Sequence, residues 1–349
     1  MPEKTSASEQ RAGAPALKPL KEQVIVITGA SSGIGLATAR AAARAGAKVV
    51  AAARSQEAIE SLERELTRSG AEAMGVVCDV SKEEDVHRLA RVAVDRFGGF
   101  DTWVNNAGVS IYGRIEEVAL ADMRQLFETN FWGVVYGSRV ALEHLKERGG
   151  ALINLGSALS ERSIPLQGIY SASKFAVRGF TDALRMEVEK AGYPVSVTLI
   201  KPAAIDTPYV QHAKNYMDEA PKNPPPVYAP EVVVDTILRA ATHPERDLYA
   251  GSASAGFALM EKIMPRATDR GMEATLFDVQ KSGRPAGPIE DHSLYEPSEP
   301  ELRERGGYPG KVFEHSPYTW MQTAPGALGL ALIGASLVAA TVAVTKRSA

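Results

Sequence analysis

The sequence predicts an α/β fold, a doubly wound parallel sheet of about seven strands with helices on both faces. Short apolar runs alternate with longer stretches of helical periodicity over residues 21–260. A glycine-rich turn also separates the first apolar run from the first helical stretch. Strands joined by helices in this way pair in parallel, and such sheets bind ligands beyond the carboxyl ends of their strands. Functional residues are therefore expected just after strand ends.

Each element follows from its local pattern. The predicted strands are short apolar runs, many of them rich in β-branched residues, at 23–28, 48–53, 73–78, 102–104, 151–155, 195–200 and 247–250. The predicted helices are the stretches between them, at 34–45, 58–69, 85–97, 121–146, 170–190 and 229–241. In the third helix, Val86, Leu89 and Ala93 recur at helical spacing, which indicates one buried face.

Composition limits the class of protein. The chain has 349 residues, 45% of them hydrophobic, which suits one large domain with appendages or two small domains. The net charge of −3 excludes a strongly basic protein that binds nucleic acid. The single cysteine, Cys78, excludes an internal disulfide framework and a cysteine-cluster metal site. The six histidines show no H-x-x-x-H spacing, so no metal site is expected.

Both ends of the chain are predicted to lie outside the α/β domain at 21–260. Residues 1–20 contain no apolar run and are interpreted as a disordered leader, with an extra ordered arm as the alternative. Repeated Pro and Gly indicate an extension or tether over residues 261–323, and no motif gives residues 255–315 a role. Residues 324–345 are uncharged, apolar and about long enough for a single transmembrane helix, followed by a basic tail at 346–349. The alternative is an alanine-rich helix that packs on the domain or on a partner.

The turn after the first strand reads Thr28-Gly-Ala-Ser-Ser-Gly-Ile-Gly35. Glycine lets the backbone turn tightly and approach a pyrophosphate, and the following helix offers free N–H groups and a positive dipole end. Because this turn lies between the first strand and the first helix, it predicts a phosphate site rather than an ordinary turn. The cofactor-binding residues predicted here are Gly29, Ser31, Ser32, Gly33, Ile34 and Gly35.

A second group of residues suits acid–base chemistry. Tyr170 and Lys174 are four residues apart and share one face of a predicted helix. A phenol has a pKa of about 10, and a neighbouring ammonium group lowers it. Ser157 follows the fifth strand, where its hydroxyl suits a substrate carbonyl oxygen beside Tyr170. Asn130 stands inside a helical stretch, where its side chain competes for backbone hydrogen bonds.

Together with these residues, the spacing T-G-x-x-x-G-I-G resembles the short-chain dehydrogenase/reductase family over about residues 21–250. Residues 105–108 match the family's N-N-A-G motif, and Ser157 lies thirteen residues before Tyr170, as in the family. The resemblance implies a Rossmann-type sheet and a catalytic tetrad of Asn130, Ser157, Tyr170 and Lys174. It also implies that Asn130 kinks its helix and that Lys174 binds the nicotinamide ribose.

The resemblance implies a nicotinamide cofactor, with NADP(H) favoured over NAD(H). Ala53 stands where NAD-preferring members carry Asp, and the following Arg54 and Ser55 suit a 2′-phosphate. The alternatives are an exposed Arg54 at a helix start and an Asp79 that only caps a helix. Ser32 replaces a second basic residue of the family, and Ala203 replaces its usual glycine. The other cofactor-binding residues implied are Asp79, Val80, Asn106, Ala107, Gly108, Tyr170, Lys174, Pro202, Ile205 and Thr207.

The implied reaction is hydride transfer between NADP(H) and a carbonyl or secondary alcohol, with Tyr170 as general acid. The resemblance implies a substrate lid at residues 209–229, whose apolar side chains favour a hydrophobic substrate; the alternative is a generic loop with scattered apolar side chains. The expected protein is a homo-oligomer, membrane-anchored through residues 324–345 with a cytoplasmic catalytic domain, or otherwise cytoplasmic. Two alternatives stay open: a soluble reductase whose tail packs against protein, and a non-catalytic NADP-binding sensor or scaffold at a membrane.

Overall fold

The computed structural model of the protein describes residues 15–297 and 302–323. The strands are β1 (Val24–Thr28), β2 (Lys48–Ala53), β3 (Ala73–Val77), β4 (Thr102–Asn105), β5 (Ile111–Tyr112), β6 (Gly150–Leu155), β7 (Val195–Pro202), β8 (Ala204–Ile205), β9 (Lys214–Asn215), β10 (Glu219–Pro221), β11 (Val227–Tyr228), β12 (Asp247–Ala250), β13 (Lys281–Pro285) and β14 (Val312–Phe313). The helices are α1 (Gly33–Arg44), α2 (Gln56–Arg68), α3 (Glu83–Phe97), α4 (Leu120–Phe127), α5 (Gly133–Arg148), α6 (Gly168–Ala191), α7 (Glu231–Thr242), α8 (Ser252–Ile263), α9 (Pro265–Val279) and α10 (Pro317–Thr323).

A seven-stranded sheet in the order β12-β7-β6-β4-β1-β2-β3 positions the site. All of its neighbouring strands run parallel, and β1 pairs with β2 on one side and β4 on the other. The chain order therefore reverses between β1 and β4, which opens a crevice at the carboxyl ends of these two strands. The predicted parallel α/β sheet with helices on both faces is confirmed.

Alternating side chains of the strands fill a core on each face of the sheet. Ile25 and Ile27 of β1 point into one core, which Leu36 of α1 completes. Val24 and Val26 point into the opposite core. This period of two explains why the strands read as continuous apolar runs: both faces are covered, so both sets of side chains are buried.

The structure differs from the predicted tether between the catalytic domain and residue 323. The predicted boundary at residue 260 falls inside α8, and α9 follows after one residue. β13 pairs with β10, β14 pairs with β11, and the last described helix, α10, packs against β12. The described part of this extension is therefore a folded layer on the catalytic domain.

Two prolines explain why the composition of the extension resembles that of a linker. Pro265 and Pro317 each occupy the first position of a helix, α9 and α10. Proline is favoured there because its missing N–H has no partner in the first turn anyway. Composition alone does not distinguish these helix starts from breaks in a loose chain.

The terminal predictions fall mostly outside the described residues. Residues 1–14, the predicted transmembrane helix at 324–345 and the basic tail at 346–349 lie outside them. Within residues 15–297 and 302–323, no helix is long and apolar enough to cross a membrane. Part of the predicted disordered leader is ordered, because Leu17 and Leu20 pack against the core and Lys18 pairs with Asp101 at 2.6 Å.

The guanidinium group of Arg162 binds the extension to the segment that follows β6. Arg162, whose side chain is only 14% exposed, pairs with Glu261 of α8 and Asp269 of α9. The planar fork of arginine suits two carboxylates at once. Both helices are therefore paired with the same side chain, in addition to their packing contacts.

We expect Arg162→Met to lower the free energy of unfolding by about 1–3 kcal/mol, because two charge-assisted hydrogen bonds are lost at a largely buried position. Urea denaturation measures this change. Arg266→Met is the matched control: Arg266 is 74% exposed and pairs with the same Asp269 at 3.3 Å, so its loss is expected to cost less than about 1 kcal/mol. Equal costs for the two variants would contradict a fastening role for Arg162.

Candidate active site

The glycine turn after β1 is packed tightly against the segment that follows β4. Gly29 has φ +68°, and a Cβ atom there would lie 2.7 Å from the Cα atom of Ala107. A Cβ atom on Gly35 would lie 2.2 Å from the carbonyl oxygen of Gly29. Asn106 joins the two segments through donation to the Thr28 carbonyl oxygen at 2.8 Å. The glycines therefore allow the turn to pack closely between β4 and the N-terminus of α1, the position of a pyrophosphate site in sheets of this kind.

The predicted cofactor residues line two adjoining cavities, except Gly35, which packs behind the turn against Gly29 and Asn106. The first, of about 210 Å³, is called the adenosine cavity here, and its lining includes Gly29, Ser31, Ser32, Gly33, Ile34, Arg54, Ser55, Asp79, Val80, Asn106, Ala107, Gly108 and Thr207. The second, of about 200 Å³, is called the catalytic cavity, and its lining includes Ser157, Tyr170, Lys174, Pro202, Ile205 and Thr207. Asn106, Gly108 and Thr207 line both cavities, so these form one continuous site.

Two predicted side chains at the adenosine cavity, Ser55 and Asp79, also make hydrogen bonds that stabilise the local backbone. The Ser55 hydroxyl caps α2 by accepting a hydrogen bond from the Ala58 N–H at 3.3 Å. The Asp79 carboxylate accepts hydrogen bonds from the Ser81 N–H at 3.0 Å and its hydroxyl at 2.8 Å. Asp79 therefore stabilises the turn before α3, much as the helix-capping alternative proposed. It also lines the cavity.

The extension contacts and covers Arg54. No pattern in the sequence indicates this contact. The Arg54 guanidinium donates hydrogen bonds to the carbonyl oxygens of Ser293 at 2.5 Å and Tyr295 at 2.9 Å. Residues 292–297, called the strap here, are held in turn by the Tyr295 hydroxyl, which donates to Asp122 at 2.6 Å. Because the strap has no motif of its own, only the folded structure brings it to the adenosine cavity.

A second contact places the extension at the glycine turn itself. The Gly33 N–H donates to the carbonyl oxygen of Arg303 at 3.0 Å. Ser293 and Pro297 of the strap line the adenosine cavity. The adenosine end of the site is therefore built from three parts of the chain: the glycine turn, the end of β2 and the extension.

The acid–base pair lies on α6 at the catalytic cavity. Tyr170 is 9% exposed and Lys174 is 5% exposed. The Lys174 ammonium nitrogen lies 5.7 Å from the centre of the Tyr170 ring and donates to the Leu155 carbonyl oxygen at 2.9 Å. Burial lowers the pKa of Lys174 to about 8. Burial raises the pKa of Tyr170, while the hydroxyls of Tyr209 and Ser157 lower it.

Ser157 is fixed in place by the turn that it begins. Its hydroxyl oxygen accepts a hydrogen bond from the Leu159 N–H at 3.1 Å. Its own N–H donates to the Ser160 hydroxyl, also at 3.1 Å. This reciprocal capping keeps the hydroxyl at the carboxyl end of β6, where it lines the same cavity as Tyr170.

Asn130 lines neither cavity, but its hydrogen bonds connect the segment after β4 with α6. It is completely buried in a π-helical segment, Glu128–Trp132, between α4 and α5. Its carboxamide oxygen accepts from the Val109 N–H at 2.8 Å, and its nitrogen donates to the Val109 carbonyl at 3.0 Å and the Ser173 hydroxyl at 3.2 Å. An insertion of this kind interrupts a helix where a side chain must reach outwards, so the helix predicted over 121–146 is divided into two.

Several lining residues lie beyond the predicted set. Ala253 and Phe257 of α8 and Leu276 of α9 form part of the catalytic cavity. Tyr209, which the sequence placed only in a lid, lines both cavities. The extension residues gave no local signal, because their place at the cavity depends on long-range contacts such as those of Arg162.

Cys78 has no reactive character here. It is buried in the core, and this burial raises the pKa of its thiol to about 12. Among the described residues, no group of three or more His, Cys, Asp or Glu side chains is arranged to hold a metal ion.

Comparison with known proteins identifies the family. The short chain dehydrogenase family model matches residues 23–218. The uncharacterized oxidoreductase YxnA of Bacillus subtilis is 48% identical over 330 residues, which cover 94% of this chain and 91% of that protein. An alcohol dehydrogenase from the archaeon Thermococcus sibiricus, solved with 5-hydroxy-NADP, is 31% identical with a TM-score of 0.58 and covers 65% of this chain and 95% of that one.

Actinorhodin polyketide ketoreductase, solved as a single-residue variant with NADPH, is 34% identical with a TM-score of 0.51 and covers 54% of this chain and 73% of that one. The fold and the site define a nicotinamide-dependent oxidoreductase of the α/β class. The chain belongs to the short-chain dehydrogenase family. It is an enzyme that acts on CH–OH and C=O groups.

We expect Asn130→Ala to lower the free energy of unfolding by about 2–4 kcal/mol, because the backbone N–H and C=O groups of Val109 both lose their partner inside the core. Thermal or urea unfolding measures the loss. Ser173→Ala is the control: it removes the 3.2 Å bond from the Asn130 carboxamide and the 2.7 Å bond that the Ser173 hydroxyl donates to the Tyr170 carbonyl oxygen. It leaves both Val109 bonds in place and is expected to cost about 1–2 kcal/mol. A loss no larger for Asn130→Ala than for Ser173→Ala would show that the Val109 bonds contribute little.

Proposed function

We propose that this enzyme transfers hydride between NADP(H) and the carbonyl or secondary alcohol of an apolar substrate. The observation that carries the proposal is the burial of Tyr170, Lys174 and Ser157 around one cavity that adjoins the adenosine cavity. A bound nicotinamide supplies or accepts the hydride. The glycine turn fits the dinucleotide, because Gly29 and Gly33 line the adenosine cavity at the N-terminus of α1, where a helix favours a pyrophosphate.

The side chains of the site divide the remaining work. During reduction, the Tyr170 hydroxyl gives its proton to the substrate oxygen as general acid, and during oxidation its phenolate takes the alcohol proton. The Ser157 hydroxyl orients the substrate oxygen. The Lys174 ammonium favours the phenolate electrostatically and would hold the ribose of a bound cofactor. Asn130 acts through its hydrogen bonds to Val109 and Ser173, which fix the position of α6.

The preference for NADP(H) is proposed from the end of β2. Ala53 provides no carboxylate there, and the Arg54 guanidinium is the positive group that lines the adenosine cavity next to it. A guanidinium binds a phosphate through paired, charge-assisted hydrogen bonds. The archaeal alcohol dehydrogenase and the polyketide ketoreductase were each solved with an NADP form, which supports the same preference here.

The proposed substrate class follows from the walls of the catalytic cavity. Apolar side chains line much of this cavity and come from the segment after Ser157, from residues 209–229 and from the extension: Leu159, Ile164, Pro224, Pro225, Pro226, Phe257 and Leu276. Gln167 and Asn223 add polar groups to the same lining. A cavity that combines apolar walls with a few polar groups suits a carbonyl carried on a hydrocarbon body. The membrane tether at 324–345 and the homo-oligomer remain predictions from the sequence.

We expect Tyr170→Phe to lower the rate of carbonyl reduction by about a hundredfold or more, because the proton donor is removed. The assay follows NADPH absorbance with methyl ketones of increasing chain length, from 2-butanone to 2-dodecanone. NADPH binding, measured by its fluorescence, should be retained. Tyr193→Phe, which alters a 40% exposed phenol just after α6, is the control. Undiminished turnover in Tyr170→Phe would contradict the proposed mechanism.

We expect Arg54→Gln to weaken NADPH binding by about tenfold or more while NADH binding changes little, because only NADPH carries the 2′-phosphate. Titration of both cofactors measures the ratio. Arg64→Gln, at an exposed position of the following helix α2, is the control. If NADPH and NADH binding fell equally, Arg54 would serve to hold the strap rather than to recognise the phosphate.

A further inference from the structure

Three buried hydroxyl groups near the catalytic cavity have no well-formed hydrogen bond among the described residues. They belong to Ser110, Tyr112 and Tyr209. A buried hydroxyl that makes no hydrogen bond is destabilising, so its presence calls for an explanation. Ser110 and Tyr112 lie on the segment that runs from the N-N-A-G motif into β5, and Tyr209 lies just after Thr207.

Tyr209 is the member of this group that contacts Tyr170. The two rings pack edge to face with centres 5.6 Å apart and planes at 65°. Tyr209 lies in a short 3-10 turn, Pro208–Val210, and Thr207 immediately before it lines both cavities. Tyr209 therefore approaches Tyr170 from an element other than α6, the helix that carries both Tyr170 and Lys174.

We propose that Tyr209 is a positioning residue whose hydroxyl donates a hydrogen bond to the Tyr170 oxygen when that oxygen carries negative charge. In reduction, the O–H bond of Tyr170 breaks, its proton forms the new O–H bond of the alcohol, and the phenolate remains. Tyr209 keeps its own proton and stabilises this phenolate. In this arrangement the Ser110 hydroxyl, a further neighbour of Tyr209, would donate to the Tyr209 oxygen. This inference rests on the proposed role of Tyr170.

The surroundings of Tyr170 show why a neutral donor matters. Burial raises the pKa of Tyr170, and the Tyr209 hydroxyl is the largest influence that lowers it. Lys174, on the same helix, has its pKa lowered to about 8 by burial, so its positive charge is lost over the alkaline range. Tyr112 also faces Tyr170, from β5, and burial raises its pKa. A hydroxyl donor keeps its effect when Lys174 has lost its proton.

The test compares pH profiles of Tyr209→Phe and the wild-type enzyme in both directions. The expected pKa of Tyr170 rises by about one unit in the variant, because a hydrogen bond to a charged oxygen is lost. Oxidation needs the phenolate, so its rising limb should move to higher pH and its rate on that limb should fall about tenfold. Reduction needs the phenol, so its falling limb should also move to higher pH. A merely structural defect lowers both rates without moving either limb.

The assay uses the full chain with 2-octanol and NADP⁺ in one direction and 2-octanone and NADPH in the other. A second measurement needs no turnover: tyrosinate absorbance is titrated in each enzyme, and the curve of the matching Tyr170→Phe variant is subtracted. The remaining titration belongs to Tyr170 and should move by the same unit. If Tyr209→Phe does not fold, Ser110→Ala should give a smaller shift in the same direction.

Tyr112→Phe is the matched control, because it removes a buried and unpartnered hydroxyl that lines neither cavity. Its profile should equal the wild-type profile. Unmoved limbs in Tyr209→Phe, or an equal shift in Tyr112→Phe, would overturn the proposed role of Tyr209. A wild-type enzyme whose turnover does not depend on Tyr170 would instead overturn the proposed function, so the two failures are distinct.

Discussion

The carboxamide of Asn130 makes the hydrogen bonds on which the rest of the site depends. It satisfies both backbone groups of Val109, just after the N-N-A-G segment, and it also holds Ser173 on α6. These contacts join the cofactor side of the site, built on β4, to the helix that carries Tyr170 and Lys174. Because the carboxamide is fully buried, any shift of one wall would leave polar groups unpaired. The distance between the two walls is therefore fixed by an energetic constraint rather than by packing alone.

The extension contributes a third group of residues to the walls of the site, beside the segment after β4 and α6. The archaeal alcohol dehydrogenase is matched over almost its whole length by 65% of this chain, so about a third of this chain lies outside that match. YxnA matches 94% of this chain and thus spans most of the extension as well. In the structure, α8 and α9 face the catalytic cavity and the strap faces the adenosine cavity. The additional residues thus act on both ends of the shared site.

The sequence was sufficient to predict the sheet, because continuous apolar runs mark buried parallel strands. It also singled out Ser157, Tyr170 and Lys174 by their spacing, and these three side chains line one cavity; their catalytic roles stay predictions. The extension could not be predicted in the same way. The bonds from Arg54 to Ser293 and from Arg162 to Glu261 connect residues more than 90 positions apart, and no local pattern reports them. The same limit applies to Tyr209, whose ring contact with Tyr170 is visible only in the folded chain.

Substrate choice and acid strength are coupled through the cavity walls. The apolar side chains that suit a hydrocarbon substrate also exclude water, and this raises the cost of charge on Tyr170 and Lys174. Such a site can use a phenol near neutral pH only if fixed donors and a cation replace the lost hydration. Phe257 and Leu276 come from the extension, so the element that shapes the pocket also sets part of this electrostatic cost. A change that opened these walls to water would alter the substrate range and the pH dependence together, because both follow from the same excluded water.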